Sequence, residues 1–195
     1  MSVDDSNAEV GRRPRSDSLR NRELLIEAAK ASFAASAGEA SLEEIARRAG
    51  VGIGTLYRHF PTRDAIIEAV YRREVQNLAD AAERLLETRP PGEALHEWMH
   101  VFVDYIAAKK LIAPALGTMV SGVSDLFAAS GVLIIGAVNR LVDAAKAQGE
   151  IRPDIDPDDL LRALAGFAYA SSAPGWEASA KRLIDILMDG LRRTG

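Results

Sequence analysis

The sequence predicts an all-α chain, with a small N-terminal unit built around a helix-turn-helix and a larger C-terminal helical bundle. Three observations carry that reading. Apolar residues recur at helical spacing along most of the 195-residue chain, and no credible strand run interrupts them. The stretch from Ser41 to Arg63, S-L-E-E-I-A-R-R-A-G-V-G-I-G-T-L-Y-R-H-F-P-T-R, holds two short apolar stripes separated by a glycine. Clusters of proline and glycine at 89–92 and 173–175 divide the remainder into helices. The expected boundaries are a tail over 1–17, the helix-turn-helix unit over 18–63 and the bundle over 64–195.

The tail contains G-R-R-P-R-S-D-S, with Arg12, Arg13 and Arg15 around Pro14. It has too little apolar surface to bury, so it is expected to be disordered when free. Its arginines suit a phosphate backbone or an adjacent minor groove. A solubilising tail with no specific contact is the alternative.

Ser41 and Glu44 have capping-box spacing, so the first helix of the motif is expected to start at Ser41. Leu42, Ile45, Ala46 and Ala49 form one buried stripe, leaving Glu43, Arg47 and Arg48 in solvent. Gly50 supplies the permissive backbone of a sharp turn. In the second helix Leu56 and Phe60 face inward, so Thr55, Arg58 and His59 point outward as donors for phosphates and base edges in a major groove. Gly52 and Gly54 leave the start of that helix without side chains, open to close approach by a duplex.

Thr62 is the N-cap candidate for a long helix to about Glu87, with Ile67, Tyr71, Val75, Leu78, Ala82 and Leu85 on one face. The next helix, Glu93 to Lys110, gathers Leu95, Trp98, Met99, Phe102, Val103, Tyr105 and Ile106. Such a face is ordinary core or the wall of a ligand pocket. Pro114 and Gly117 are expected to interrupt the following segment, giving a short helix that carries Met119. Another long helix, about Ser124 to Gln148, holds Phe127, Leu133, Ile134, Val138, Leu141 and Val142. Gly131 and Gly136 inside it each cost about 1 kcal/mol relative to Ala, so close packing or ligand approach is expected there. Two final helices are expected over about Pro157 to Ser172 and Trp176 to Arg193, the first capped by Asp156 with Asp158 and Asp159 at its positive end.

The chain has a net charge of −4, and the charge is unevenly distributed. Residues 10–63 hold ten Lys/Arg against six Asp/Glu, whereas residues 64–195 hold fourteen against nineteen. The positive excess therefore sits with the motif. The absence of Cys removes disulfides, thiolate metal sites and Cys nucleophiles, and fits a reducing cytoplasm. The N-terminus shows no apolar signal segment, and the longest strongly apolar run, Val132 to Val138, is too short to span a bilayer, so no membrane partner is expected.

At Ile45, Ala46, Ala49, Gly50, Val51, Gly54, Thr55, Tyr57, His59 and Phe60 the chain resembles the TetR/AcrR family of bacterial transcriptional regulators. The family signature there runs roughly I-A-x-x-A-G-V-S-x-G-T-x-Y-x-H-F. Leu24 to Phe33 is similar to the family's first helix, and Gly149 to Leu160 to the loop before its last two helices. The departures are Gly52, where the family usually has Ser, and Arg63, where it usually has Lys. The resemblance implies a homodimeric, sequence-specific DNA-binding regulator, a repressor released from a palindromic operator by a small-molecule effector, with no cofactor and no enzymatic activity. It implies DNA contacts through Arg12, Arg13, Arg15, Gly52, Ile53, Gly54, Thr55, Tyr57, Arg58, His59 and Arg63. It makes Trp98, Phe102, Tyr105, Met119, Phe127, Asn139 and Tyr169, with Ser121 and Ser130, candidates for an effector pocket. It makes Leu161, Leu164, Ala168, Ile184, Leu187 and Leu191 candidates for a four-helix dimer seam, with intrachain core as the alternative for each. The effector, the operator and the sign of regulation stay open, and an architectural DNA-binding protein without effector is a further reading.

One constellation points to an enzyme instead. His96 to His100 spell H-E-x-x-H, in which two His one turn apart bind zinc and the Glu acts as general base. On a helical wheel both His fall on the polar side with Asp104, and no third ligand follows at a familiar spacing. A solvated helix face is the expected reading, with no metal assigned. The carboxylates Asp154, Asp156, Asp158 and Asp159 are read as helix-capping groups rather than a cation site.

Overall fold

In the computed structural model, residues 13–120, 122–170 and 173–192 are described, with side chains from residue 17 onward. They form eight helices: α1 Arg13–Ala35, α2 Leu42–Ala49, α3 Ile53–His59, α4 Arg63–Thr88, α5 Pro91–Gly117, α6 Val123–Ala147, α7 Pro157–Tyr169 and α8 Trp176–Leu191. Among the described residues the extended pairing is one isolated bridge, Ile151 with Arg192. Arg12 and Ser121 lie outside the described residues, as do the side chains of Arg13 and Arg15 and the expected helix ends at Ser172 and Arg193. The expected tail boundary at 17 falls inside α1, whose backbone is helical from Arg13; Pro14 sits in its first turn, where the missing N–H costs nothing.

The local signals act as the residue types require. Ser41 Oγ accepts from the Glu44 N–H at 3.1 Å, and α2 follows from Leu42. Gly50 ends α2 in the left-handed conformation at φ 71°. Thr62 Oγ1 accepts from Ala65 N–H, and Asp156 Oδ1 from Asp158 N–H, starting α4 and α7. Leu25, Ala29 and Phe33 of α1 are buried with Ile45, Ala46, Leu56 and Phe60, so α1 backs the two motif helices. The body is centred on α4, α5 and α6, around Trp98, Met99, Leu78, Val138 and Leu141.

Two expectations fail here, and half of a third. Pro114 does not end α5; the helix runs through it to Gly117, because Pro114 lies on the exposed side and the flanking Ile112, Ala115 and Leu116 are buried. No separate short helix carries Met119, which follows the Thr118 cap. A Cβ on Gly131 or Gly136 would meet nothing within 4 Å, so close packing within the protomer does not explain them, which leaves the ligand-approach alternative: they lie beside the exposed Val132, Leu133 and Ile135. By length and composition alone α6 could cross a membrane, although its apolar runs are short; Leu126, Ala137, Val138, Leu141 and Val142 nevertheless pack into the core.

Candidate nucleic-acid interface and effector body

The face of α3 is set by one anchor. Leu56 is fully buried, and the residues around it turn outward: Gly52, Ile53, Gly54, Tyr57 and Arg58 are exposed, Thr55 and His59 half-buried. Tyr57 keeps 46% of its surface in solvent although it sits in a well-packed unit. Arg47 and Arg48 of α2 are exposed beside it, adding positive charge. Gly52 caps α3 with no side-chain bond, as expected from the missing Ser. Arg22 of α1 stacks 5.2 Å over the Phe60 ring and pins the C-terminal end of α3.

Arg63 has partners within the protomer. Its guanidinium donates to the Ala40 and Gly38 carbonyl oxygens and lies 5.1 Å over the Phe33 ring. The planar fork matches two carbonyls and an aromatic face at once, so the group expected on a phosphate holds the α1–α2 loop.

In the body, Trp98 is fully buried and its Nε1 donates to Leu78 O at 2.9 Å. Phe102 and Tyr105 are buried too, with ring centroids 5.9 Å (Trp98–Phe102) and 5.8 Å (Phe102–Tyr105) apart. Trp98 is thus enclosed in the core of the protomer, with its only polar atom satisfied within the chain. The Tyr105 and Tyr71 hydroxyls are 3.2 Å apart. Burial and this hydrogen bond push Tyr105 far above the usual phenol range. Phe127 lies edge-on to Tyr71 at 5.3 Å and is capped by Lys109 at 4.7 Å. Met119 and Asn139 are half-buried and Tyr169 is exposed, under Lys110 at 5.4 Å; Ser130 spends its hydroxyl on Leu126 O at 2.7 Å. Clefts lined by other residues open on the body, among them one of about 530 Å³ at His96 and His100, one of about 370 Å³ between Gly92 and Met188, and one of about 290 Å³ from Met119 to Asp125.

The expected dimer seam is mostly intrachain. Leu164, Ala168, Ile184 and Leu191 are buried within the protomer, where α7 and α8 close on α5 and α6; Leu161 and Leu187 are half-buried. On the outer side of α8, Leu183, Ile186, Leu187 and Gly190 form an apolar stripe at i, i+3, i+4 and i+7. The periodicity of α8 was compatible with either face turning inward, since both carry leucine and isoleucine.

Comparison with known proteins decides what this arrangement belongs to. Residues 25–70 match the model of bacterial regulatory proteins of the tetR family, and residues 90–193 match the C-terminal domain of SbtR-like transcriptional regulators. The chain belongs to the TetR family of transcriptional regulators. A TetR regulator of Streptomyces coelicolor is 49% identical, with a TM-score of 0.79, over 89% of this chain and 99% of that one. One from Mycobacterium vanbaalenii is 33% identical, with a TM-score of 0.77, over 92% and 99%. The chain spans less than half of some curated relatives: 45% of the Mycolicibacterium smegmatis transcriptional activator FasR, at 33% identity, and 17% of the Mycobacterium tuberculosis kinase PknD, at 28%. This TetR protein is therefore a DNA-binding transcriptional regulator. The hydrolase alternative finds no support, and Glu97, its would-be base, is held by Arg89 Nε at 2.7 Å.

Proposed function

We propose that this TetR protein acts in the cytoplasm as a homodimeric repressor that leaves a palindromic operator when a small molecule enters its body. The observation that carries the reading is the outward row Gly52, Ile53, Gly54, Tyr57 and Arg58, held rigid over the buried Leu56. Thr55 and His59 border that row, and the arginines of the N-terminal segment extend it along the duplex. A dimer supplies two such helices to half-sites about one turn, roughly 34–36 Å, apart. The α8 stripe with Tyr169 and Gly166 of α7 is the face offered for pairing, because it is apolar and outside the protomer's core.

The effector is proposed to displace Phe127 and meet the Tyr71–Tyr105 hydroxyls, with Met119 and Asn139 nearby in chain order on the flanking segments. A predominantly apolar molecule with one polar end fits that chemistry. Its coupling free energy need only be about 1–3 kcal/mol to change operator affinity roughly 5- to 150-fold.

Selection of bound duplexes from a random pool tests the reading: a palindrome is expected, and Tyr57→Ala should abolish its binding with the melting temperature unchanged. Enrichment of no sequence, or retention of binding by Tyr57→Ala with His59→Ala, would sink it. FasR is an activator, so a reporter under the selected site decides the sign for this chain.

A further inference from the structure

The H-E-x-x-H segment is the strong sequence pattern that DNA regulation leaves unused, and the fold gives it the partner its neighbourhood in sequence lacked. His96 and His100 stand one turn apart on the polar side of α5, and α8 brings Asp185 up to them. Each imidazole Nε2 lies 2.8 Å from the same Asp185 Oδ1, and the three ligand atoms lie within 4.8 Å of one another. The two rings stand edge to face with centroids 4.9 Å apart, so both aim one nitrogen at a common point. That point borders the open cleft of about 530 Å³, which gives a path from solvent.

The surrounding charges favour a cation. Glu93, Glu97 and Asp104 line the cleft; Arg89 neutralises Glu97 and Lys181 neutralises Asp104 at 2.6 Å, leaving Glu93 and Asp185 in excess. From this geometry we propose that His96, His100 and Asp185 form a binding site for a divalent first-row transition metal ion, with Zn²⁺ the best fit. Two imidazoles and one carboxylate match zinc, cobalt or nickel, whereas magnesium and calcium demand more oxygen ligands. Zinc bonds of about 2.0–2.1 Å in a tetrahedral set place ligand atoms roughly 3.3 Å apart. The present 2.8 Å separations are hydrogen bonds to the half-exposed Asp185, and the ion takes their place as the carboxylate draws back by a few tenths of an ångström. The fourth position faces the cleft and takes water. Glu97 is engaged by Arg89, so the ion does not activate that water for hydrolysis; it ties α5 to α8.

The test uses the full-length chain without a polyhistidine tag, stripped with a chelator and then titrated with Zn²⁺ or Co²⁺. One ion per chain is expected, with the melting temperature rising by roughly 5–10 °C at hundredfold excess over Kd. Co²⁺ should give the intense visible absorption of a four-coordinate site. His100→Ala and Asp185→Ala should each weaken uptake by roughly tenfold or more and remove the absorption. Glu97→Ala should keep both. Asp185→Asn, nearly isosteric, guards against loss through misfolding, with far-UV circular dichroism as the check. No stoichiometric uptake by the intact chain, or uptake unchanged in the His100→Ala, Asp185→Ala double variant, overturns the proposal.

Discussion

A Cβ on Gly38 would lie 2.6 Å from the backbone nitrogen of Ala115 and 2.9 Å from Pro114 Cβ. The loop after α1 therefore touches the far end of α5 with no room for a side chain. Two features hold it there: Gly38 N–H donates to Phe33 O at 2.8 Å, and Gly38 O accepts from Arg63. Ala37 and Gly38 both have positive φ, 50° and 90°, so the chain leaves α1 through consecutive left-handed residues. The reading head meets the body here, and at the same end of α5 the Val120 N–H donates to Asp64 Oδ2 at the start of α4 at 3.1 Å.

Gly38→Ala should therefore cost more than an ordinary surface change. A left-handed L-residue costs about 1–2 kcal/mol, and the contact with backbone atoms cannot be relieved by a rotamer change. The expected loss is about 2–4 kcal/mol, or roughly 5–15 °C in melting temperature for a chain of this size. Thermal unfolding followed by circular dichroism measures it. A change within about 1 °C would mean that the loop and α5 separate at no cost.

Arg63 offers a test that distinguishes its two possible roles. A phosphate contact, the expectation from the family signature, would lower the salt dependence of DNA binding by about one ion when removed. The structure commits both guanidinium ends to Ala40 and Gly38 carbonyls. Arg63→Ala should lower the melting temperature, since hydrogen bonds from a charged group are worth about 1.5–3 kcal/mol before allowing for partial exposure. The slope of log affinity against log salt should stay unchanged. A slope reduced by one with unaltered stability would return Arg63 to the DNA.

What the residues made legible was what they encode locally. Ser41, Gly50, Thr62 and Asp156 act within three or four residues of themselves, and each sits where its chemistry predicts. Leu56 and Phe60 needed only helical period to be placed inside. Long-range choices were not legible. Asp185 is 85 residues from His100, so no spacing rule could propose it as a shared partner. α8 carries Ile184 and Leu191 on one side and Leu183 and Ile186 on another, and only packing against α5 and α7 selects the first pair. Pro114 failed as a helix breaker because burial of its neighbours outweighs one missing hydrogen bond.

The Tyr71–Tyr105 pair predicts an alkaline limit to stability. Burial first, then the hydrogen bond to Tyr71, raise the Tyr105 pKa in the folded chain. A raised folded pKa means that the stabilisation is fully present below the unfolded value of about 10 and is lost as pH rises beyond it. The intact chain should therefore lose stability between about pH 10 and 11 more steeply than Tyr105→Phe. At neutral pH the variant should be weaker by about 0.5–1.5 kcal/mol through the lost hydrogen bond. Urea midpoints across that range check both statements, and parallel pH profiles would refute the burial argument.

The outer stripe of α8 predicts how the chain assembles. Ile186 leaves 68% of its surface in solvent, Leu183 and Gly190 continue the stripe in solvent, and half-buried Leu187 borders the protomer's core. A glycine at its end lets a second helix approach closely. Burying such a stripe on a second copy removes apolar area from water at about 25 cal/mol per Å². An aspartate placed there would have to be desolvated without a partner. Ile186→Asp should therefore shift the chain to monomer in analytical ultracentrifugation while far-UV circular dichroism stays unchanged, because the residue contributes nothing to the protomer's interior. Ile184→Asp, two residues away but fully buried, should unfold the body instead. If Ile186→Asp remains dimeric, the pairing face is elsewhere, and the apolar residues Val132, Leu133 and Ile135 exposed on α6 are the next to change.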